Sequence, residues 1–309
     1  MDILSEMTSL IRTRGQVYGR LEFIAPWGFA FPGEKGICLI VTQGSCFLGV
    51  DGKKPLIPLT SGDFILLAAP QTYSLQSQPG LPIRPMTEII SQEAFHQSRL
   101  IPYQGDPSGA STTLIAGCFS FATPESEWLA RSLPPILHVA SSSAHSPSWF
   151  QSTLEFLDAE IARRLPGSDA VVDRLAEVLF VQALRTLPIS PNQSEEPGWL
   201  YALADPQLGE ALRLIHTEPE HSWTVPELAR RVSMSRSAFA ARFRNRVGKT
   251  PMEHLTEWRM VRAAGMIREG RAEKLAVVAA AVGYDSEAAF SKVFRRIIGV
   301  SPGKYRQQR

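Results

Sequence analysis

The 309-residue sequence is poor in cysteine, with only Cys38, Cys46 and Cys118. Three cysteines build no disulfide framework, and these three lack the spacing of metal ligands. A reducing compartment fits such usage. Long apolar runs are missing too. None approaches the roughly 20 residues that cross a bilayer, so no membrane partner is expected. The opening Met1-Asp2-Ile3-Leu4-Ser5-Glu6 lacks a basic segment followed by an apolar one. No secretory signal is therefore expected, and the expected location is the cytoplasm. There is no nucleophile elbow, no phosphate-cradling loop and no dinucleotide fingerprint. Catalysis and a cofactor are accordingly not expected.

What is present is an uneven charge. The net +2 conceals a basic segment, residues 206–309, with 19 Lys and Arg against 10 Asp and Glu. The remaining residues hold 13 against 20. A basic segment beside an acidic one suits a chain of which one part faces a polyanion. The length suits two domains.

From Gly15 to about Glu93 the pattern is that of strands. Ile37-Cys38-Leu39-Ile40-Val41, Ser45-Cys46-Phe47-Leu48-Gly49-Val50 and Asp63-Phe64-Ile65-Leu66-Leu67 are short apolar or alternating runs. Gln43-Gly44, Asp51-Gly52 and Ser61-Gly62 punctuate them, and Pro107 to Thr123 adds a further strand or two. Cys38 and Cys46 are expected on adjacent strands of a hairpin. After Leu133-Pro134-Pro135 the period becomes helical. Trp149, Phe150, Leu154, Leu157, Ile161 and Leu165 form one stripe, ended by Pro166-Gly167. Val172, Leu175, Ala176, Leu179, Phe180, Ala183 and Leu187 form another, ended by Pro188. Either stripe serves core packing or a dimer contact. The proline-rich stretch 188–204 reads as a linker.

The basic segment contains an internal repeat. Thr224 and Glu227 have capping-box spacing at the start of a helix, and Ser235 caps the next, which runs Arg236 to about Val247 and closes at Gly248. In the second copy Leu275 to Val282 forms the first helix. Ser286 caps the second, Glu287 to Ile298, which closes at Gly299. Ser235, Phe239, Phe243, Arg244, Gly248 and Pro251 recur 51 positions later as Ser286, Phe290, Phe294, Arg295, Gly299 and Pro302. The pattern predicts two helix-turn-helix units, 224–247 and 275–298. Phe239 and Phe243 point inward, which turns Arg236, Ser237, Ala240, Ala241 and Arg244 outward. Glu287, Ala288, Ser291, Lys292 and Arg295 take the same places in the second copy. A helix from Met252 to about Glu269 joins the units. Its ~18 residues span about 27 Å at about 1.5 Å each, enough to hold two recognition helices near the ~34 Å of one DNA turn.

Phosphate contacts are expected from a pool of Arg236, Arg242, Arg244, Arg246, Lys249, Arg295, Arg296 and Lys304. Ser237, Ala240 and Ala241 are small enough to approach thymine methyls, and Lys292 suits guanine. Glu287 either accepts from a cytosine amine or only caps its helix and repels phosphate.

Residues 205–309 resemble the DNA-binding domain of the AraC/XylS family of transcription regulators. The carriers are Trp223 to Val232, Val282-Gly283-Tyr284-Asp285-Ser286-Glu287-Ala288-Ala289-Phe290-Ser291-Lys292-Val293-Phe294-Arg295, and Gly299-Val300-Ser301-Pro302-Gly303-Lys304-Tyr305-Arg306. Residues 1–187 resemble the cupin-like effector domain of one branch of that family. Here the carriers are Arg14-Gly15-Gln16-Val17-Tyr18-Gly19-Arg20, Ala25-Pro26-Trp27, Gly44-Ser45-Cys46, Gly62-Asp63-Phe64-Ile65-Leu66-Leu67 and Leu133-Pro134-Pro135-Ile136-Leu137-His138. The resemblance implies an N-terminal β-barrel that receives a small-molecule effector, followed by dimerisation helices and an all-α C-terminal domain with two helix-turn-helix units. The implied partners are double-stranded promoter DNA, RNA polymerase and a second copy, and activation is the implied mode.

Two rival readings stand beside it: a metal-dependent cupin enzyme with a DNA-binding appendage, and a ligand-independent regulator whose barrel only dimerises. Leu39 and Tyr73 stand where a cupin enzyme would carry histidines, and His96, His138 and His145 are expected outside the strands that would form such a cluster. That disfavours a metal centre. Asp63 reads as a turn residue. Cys38 and Cys46 are either small core residues or oxidant sensors. Trp27, Phe29, Phe31 and Phe47 either line a pocket or fill a core.

Overall fold

A computed structural model describes residues 13–33, 36–50, 55–68, 71–89, 100–121, 124–142, 148–163, 165–187, 198–270 and 274–307. The Asp51-Gly52 turn, His96, His145 and most of the linker lie outside them. The chain forms two compact units. One comprises Thr13–Ser120 and Leu133–Thr186; the other includes Phe121–Ser132 and Leu187–Arg309.

Alternating apolar residues give the first unit two sheets. β1 (Thr13–Ile24), β3 (Gly36–Gln43), β6 (Phe64–Leu67), β9 (Leu100–Gln104), β10 (Ser111–Phe121) and β11 (Leu137–Val139) form one, in the order β11-β6-β3-β10-β1-β9. β2 (Gly28–Phe31), β4 (Ser45–Val50), β5 (Ile57–Thr60), β7 (Tyr73–Gln76) and β8 (Arg84–Pro85) form the other, in the order β5-β4-β7-β2-β8. Every second residue enters one apolar core: Phe23, Leu39, Val41 and Ile65 from the first sheet, Phe29, Cys46, Leu48 and Leu75 from the second. Side chains of period two leave one face per strand for this core.

β3 departs from that alternation, being buried on both faces along Gly36–Val41. Its second face, with Cys38 and Ile40, lies on the side where Phe64 meets Phe150 edge to face at 5.7 Å. Burial on both faces is why Ile37–Val41 reads as an unbroken apolar run. The expected hairpin placing Cys38 and Cys46 on adjacent strands is not formed, because β3 and β4 belong to different sheets. Gly44 turns the chain between them with φ 77°. A Cβ there would stand 2.3 Å from the Ser111 carbonyl oxygen, so the turn needs glycine for room as well as for angle. Trp27, Phe29 and Phe31 fill the core together. Phe47 does not join them, since it alternates to the opposite face of β4 from Cys46 and Leu48.

α2 (Ser148–Arg163) and α3 (Ser168–Thr186) belong to this unit. Phe150, Leu154, Leu157 and Ile161 are buried, as are Val172, Ala176, Leu179, Phe180 and Ala183. Trp149 and Leu165, expected in the buried stripe, are exposed at its two ends. Arg20 of β1 donates to Asp158 of α2 at 2.8 Å. His138 lies on β11 and meets the Asp63 carboxylate at 3.2 Å. Asp63 also accepts from the Thr60 and Ser141 amides, at 3.0 and 2.8 Å. Burial works to raise its pKa, but these bonds, that with His138 foremost, hold it down to about 2.

The helical unit contains α1 (Pro124–Ser132), α4 (Trp199–Ala202), α5 (Pro206–Thr217), α6 (Val225–Arg231), α7 (Arg236–Val247), α8 (Pro251–Glu269), α9 (Leu275–Ala281), α10 (Glu287–Ile298) and α11 (Pro302–Gln307). α1 comes between β10 and β11 in the sequence, yet it folds here. Its Trp128 stacks on Trp199 at 5.1 Å and lies 5.2 Å from Trp258. Beneath them His216 and His254 meet Nε2 to Nε2 at 2.8 Å, fully buried. Only one ring can donate in such a contact, so the other must be neutral. Burial pushes His216 down to about 3 and His254 well below its ordinary value.

The two units therefore respond to acid in different windows. The neutral histidines stabilise the helical unit above about pH 6.5, and that contribution is lost as pH falls towards 3. Asp63 stabilises the β-rich unit above about pH 4 and loses its effect towards pH 2. Hydrogen exchange followed from pH 7 to 5 should show faster opening around Trp258 with little change around Asp63.

Candidate nucleic-acid interface

Each recognition helix is fixed at both ends by local chemistry. Ser235 accepts from the Ala238 amide at 3.3 Å and Ser286 from Ala289 at 3.3 Å, satisfying donors that a helix start leaves free. Gly248 and Gly299 close α7 and α10 in the left-handed region, with φ 86° and 90°. The turns correspond as well. The Met234 amide donates to Ala229 and the Tyr284 amide to Ala279, each at 2.9 Å. Ser233 and Gly283 both take positive φ, 56° and 78°. α8 begins with a full capping box of Thr250 and Glu253. At α6 only half of one forms: Thr224 accepts from the Glu227 amide, while the Glu227 carboxylate meets His221 at 3.1 Å.

Phe239 and Phe243 are fully buried, as are Phe290 and Phe294. With those faces committed, Arg236, Ser237, Ala241 and Arg244 stand exposed on α7, with Ala240 half-exposed beside them. On α10 Glu287, Ala288, Lys292 and Arg295 are exposed and Ser291 half-exposed. All ten expected site residues thus lie on the solvent sides of two equivalent helices. The cap bond of α10 comes from Ser286.

The expected phosphate pool divides. Arg236, Arg244, Arg246, Arg295, Arg296 and Lys304 are exposed and make no ion pair among the described residues. Arg242 instead pairs with Asp205, the N-cap of α5, and donates to Gln207 at 2.8 Å. Lys249 pairs with Glu257 of α8 at 2.6 Å. Both hold the unit together. Their acidic partners belong to other elements, which the spacing around each cation did not reveal.

A cupin family model matches residues 2–187, and a helix-turn-helix domain model matches residues 228–308. A putative AraC-like transcription regulator of Streptomyces antibioticus is 37% identical over 308 residues, covering 99% of each chain. The chain belongs to the AraC family of transcription regulators. The HTH-type transcriptional regulator AlkR of Acinetobacter baylyi is 30% identical over 312 residues and matches 100% of both chains. Among solved structures, the DNA-binding domain of AdpA in complex with a target DNA is similar to 34% of this chain and 92% of that one. Its identity is 31% and its TM-score 0.32. An AraC-family regulator binds DNA through its helix-turn-helix domain, so the exposed faces of α7 and α10 are the surfaces to test.

Arginines two residues apart on α7 should then behave differently. Arg242→Ala should lower stability by about 1 kcal/mol, since it leaves Asp205 without its cation. Arg244→Ala should leave stability nearly unchanged, weaken DNA binding, and reduce the slope of log K against log salt by about 1. Urea unfolding and salt-dependent binding titrations measure the two effects.

Proposed function

We propose that this AraC-family protein is an effector-responsive activator that reads two successive major grooves of promoter DNA with α7 and α10. The single observation carrying this reading is the pairing itself. Two helices with the same caps and the same bare outer face are joined by one continuous helix inside one compact unit. Arg236, Arg244 and Arg295 supply phosphate contacts; Ser237, Ala240, Ala241, Ala288, Ser291 and Lys292 face base edges. Glu287 either accepts from a cytosine amine or only caps its helix and repels phosphate.

A small-molecule effector acts through the β-rich unit, and the activated protein contacts RNA polymerase in the cytoplasm. Thiol sensing has little physical support. Cys38, Cys46 and Cys118 are all buried, and burial pushes the Cys38 and Cys46 thiols up to about 12, far from a reactive thiolate. A homodimer is supported by apolar residues on the solvent sides of α2 and α3. Trp149 and Phe156 are exposed seven positions apart on one, Val171 and Val178 on the other. Phe156→Asp should sediment as a monomer where the unaltered chain sediments as a dimer.

Selection of bound duplexes from random DNA, followed by footprinting, tests the two-groove reading. Two protected elements centred about 10 base pairs apart are expected. Protection of one element alone would overturn it. Transcription in vitro with RNA polymerase, with and without candidate effectors, separates activation from repression.

A further inference from the structure

Two recognition helices read two grooves only if their separation and relative angle are held. The apolar cores do part of this. α8 buries Leu255 and Trp258 towards its start and Met260, Ala263, Ala264 and Ile267 towards its end, the latter against Val278, Phe290 and Phe294. Apolar packing is non-directional, however, and leaves room for small rotations of the second unit about the α8 axis.

Arg259 stands at the changeover between these two buried stretches. Its Nε donates to the Pro219 carbonyl at 2.6 Å and its Nη2 to the His221 carbonyl at 2.9 Å. Both carbonyls belong to the loop between α5 and α6, which leads into the first helix-turn-helix unit. The guanidinium also lies 5.6 Å from the ring centroid of Tyr284, in the turn of the second unit. Next to Tyr284, Gly283 leaves space that the arginine fills. A Cβ on Gly283 would come within 2.6 Å of Arg259 Nη2 and 2.7 Å of the Glu220 carbonyl oxygen.

The loop that offers the carbonyls is itself tied. Trp223 Nε1 donates to Glu218 at 3.0 Å, the His221 amide to Glu218 at 3.2 Å, and Arg231 lies over the Trp223 ring at 5.8 Å. One planar cation is thus hydrogen-bonded to a tied loop that leads into the first unit and lies over the ring of Tyr284 in the turn of the second. Guanidinium bonds and ring stacking are directional, unlike the apolar contacts around them.

We propose that Arg259 is a positioning residue that sets the relative placement of α7 and α10, and through it the half-site spacing the protein accepts. This rests on the two-groove reading. A base pair inserted between half-sites moves the second by about 3.4 Å and turns it by about a tenth of a revolution. A frame locked by Arg259 must break its bonds or lose contacts to follow; a frame without the lock can follow. Arg259→Met keeps the aliphatic stem and removes the cation. Arg259→Lys keeps the charge but cannot reach two carbonyls and stack at once, which separates geometry from a general effect of charge.

The experiment measures the full chain on its selected duplex, on duplexes with one base pair added or removed between half-sites, and on a duplex with one half-site. The unaltered protein should lose about tenfold in affinity on a one-base-pair change, comparable to one mismatched position. Both variants should lose no more than about threefold on that change, while binding the single half-site within about twofold of the unaltered protein. Variants that keep the full spacing preference would overturn the proposal. So would variants weakened equally on every duplex, including the single half-site. If the unaltered protein ignores spacing, the two-groove reading itself fails and this proposal falls with it. Should Arg259→Met not fold, as judged by thermal unfolding, Tyr284→Leu removes the stack from the other side and must relax the spacing preference in the same way.

Discussion

Helix α8 has to be apolar on two sides at once, because each of two small helix-turn-helix cores closes on it. Neither unit has enough residues to bury its phenylalanines alone. Phe243 meets the His254 ring of α8 at 6.0 Å, while Phe290 and Phe294 share a core with Met260, Ala263 and Ile267. Separation of the two recognition helices is therefore a property of one rigid element. The outer faces of α7 and α10 inherit their geometry from that helix, and the capping box of Thr250 and Glu253 fixes where it starts.

This dependence sorts the polar residues of the helical unit. Cations on the outer faces of α7 and α10 stay exposed, whereas cations near the joints are used internally: Arg242 on the cap of α5, Lys249 on Glu257, Arg259 on a loop and a ring. The excess positive charge of the segment is thus not all available to a polyanion. Towards the aromatic cluster around Trp258, chemistry of the opposite kind prevails. There two imidazoles are kept neutral, and the Trp258 indole N–H is satisfied by the His216 carbonyl at 3.1 Å.

Local features of this fold could be read from the chain. Caps such as Ser235, Ser286, Gly248 and Gly299 depend on neighbours within four residues, so the bounds of α7 and α10 follow from the sequence alone. Outward faces followed from the phenylalanine spacing for the same reason. Partners distant in sequence could not be read. β3 and β4 look like a hairpin because they are consecutive, yet they pair into different sheets, with Gly44 turning against the Ser111 carbonyl of β10 between them. Asp63 is a turn residue, accepting from the Thr60 amide across its own turn, but its other partners, His138 and Ser141, lie more than seventy residues away. Arg259 is inconspicuous in an arginine-rich helix, and Trp128 in a short stretch between two strands.

That stretch has a consequence for how the protein is made. Chain synthesis proceeds at about 5–20 residues per second, so a ribosome reaches Trp258 on the order of ten seconds after Trp128. Until Trp199 is made, roughly halfway through that interval, Trp128 has none of its eventual neighbours Trp199, His216, His254 or Trp258 to cover it. The strands on either side of it, β10 and β11, already have partners in β3 and β6. A nascent chain thus carries a bare tryptophan on a loop of an otherwise finished sheet. The second half of the protein completes its core with a segment delivered in advance by the first.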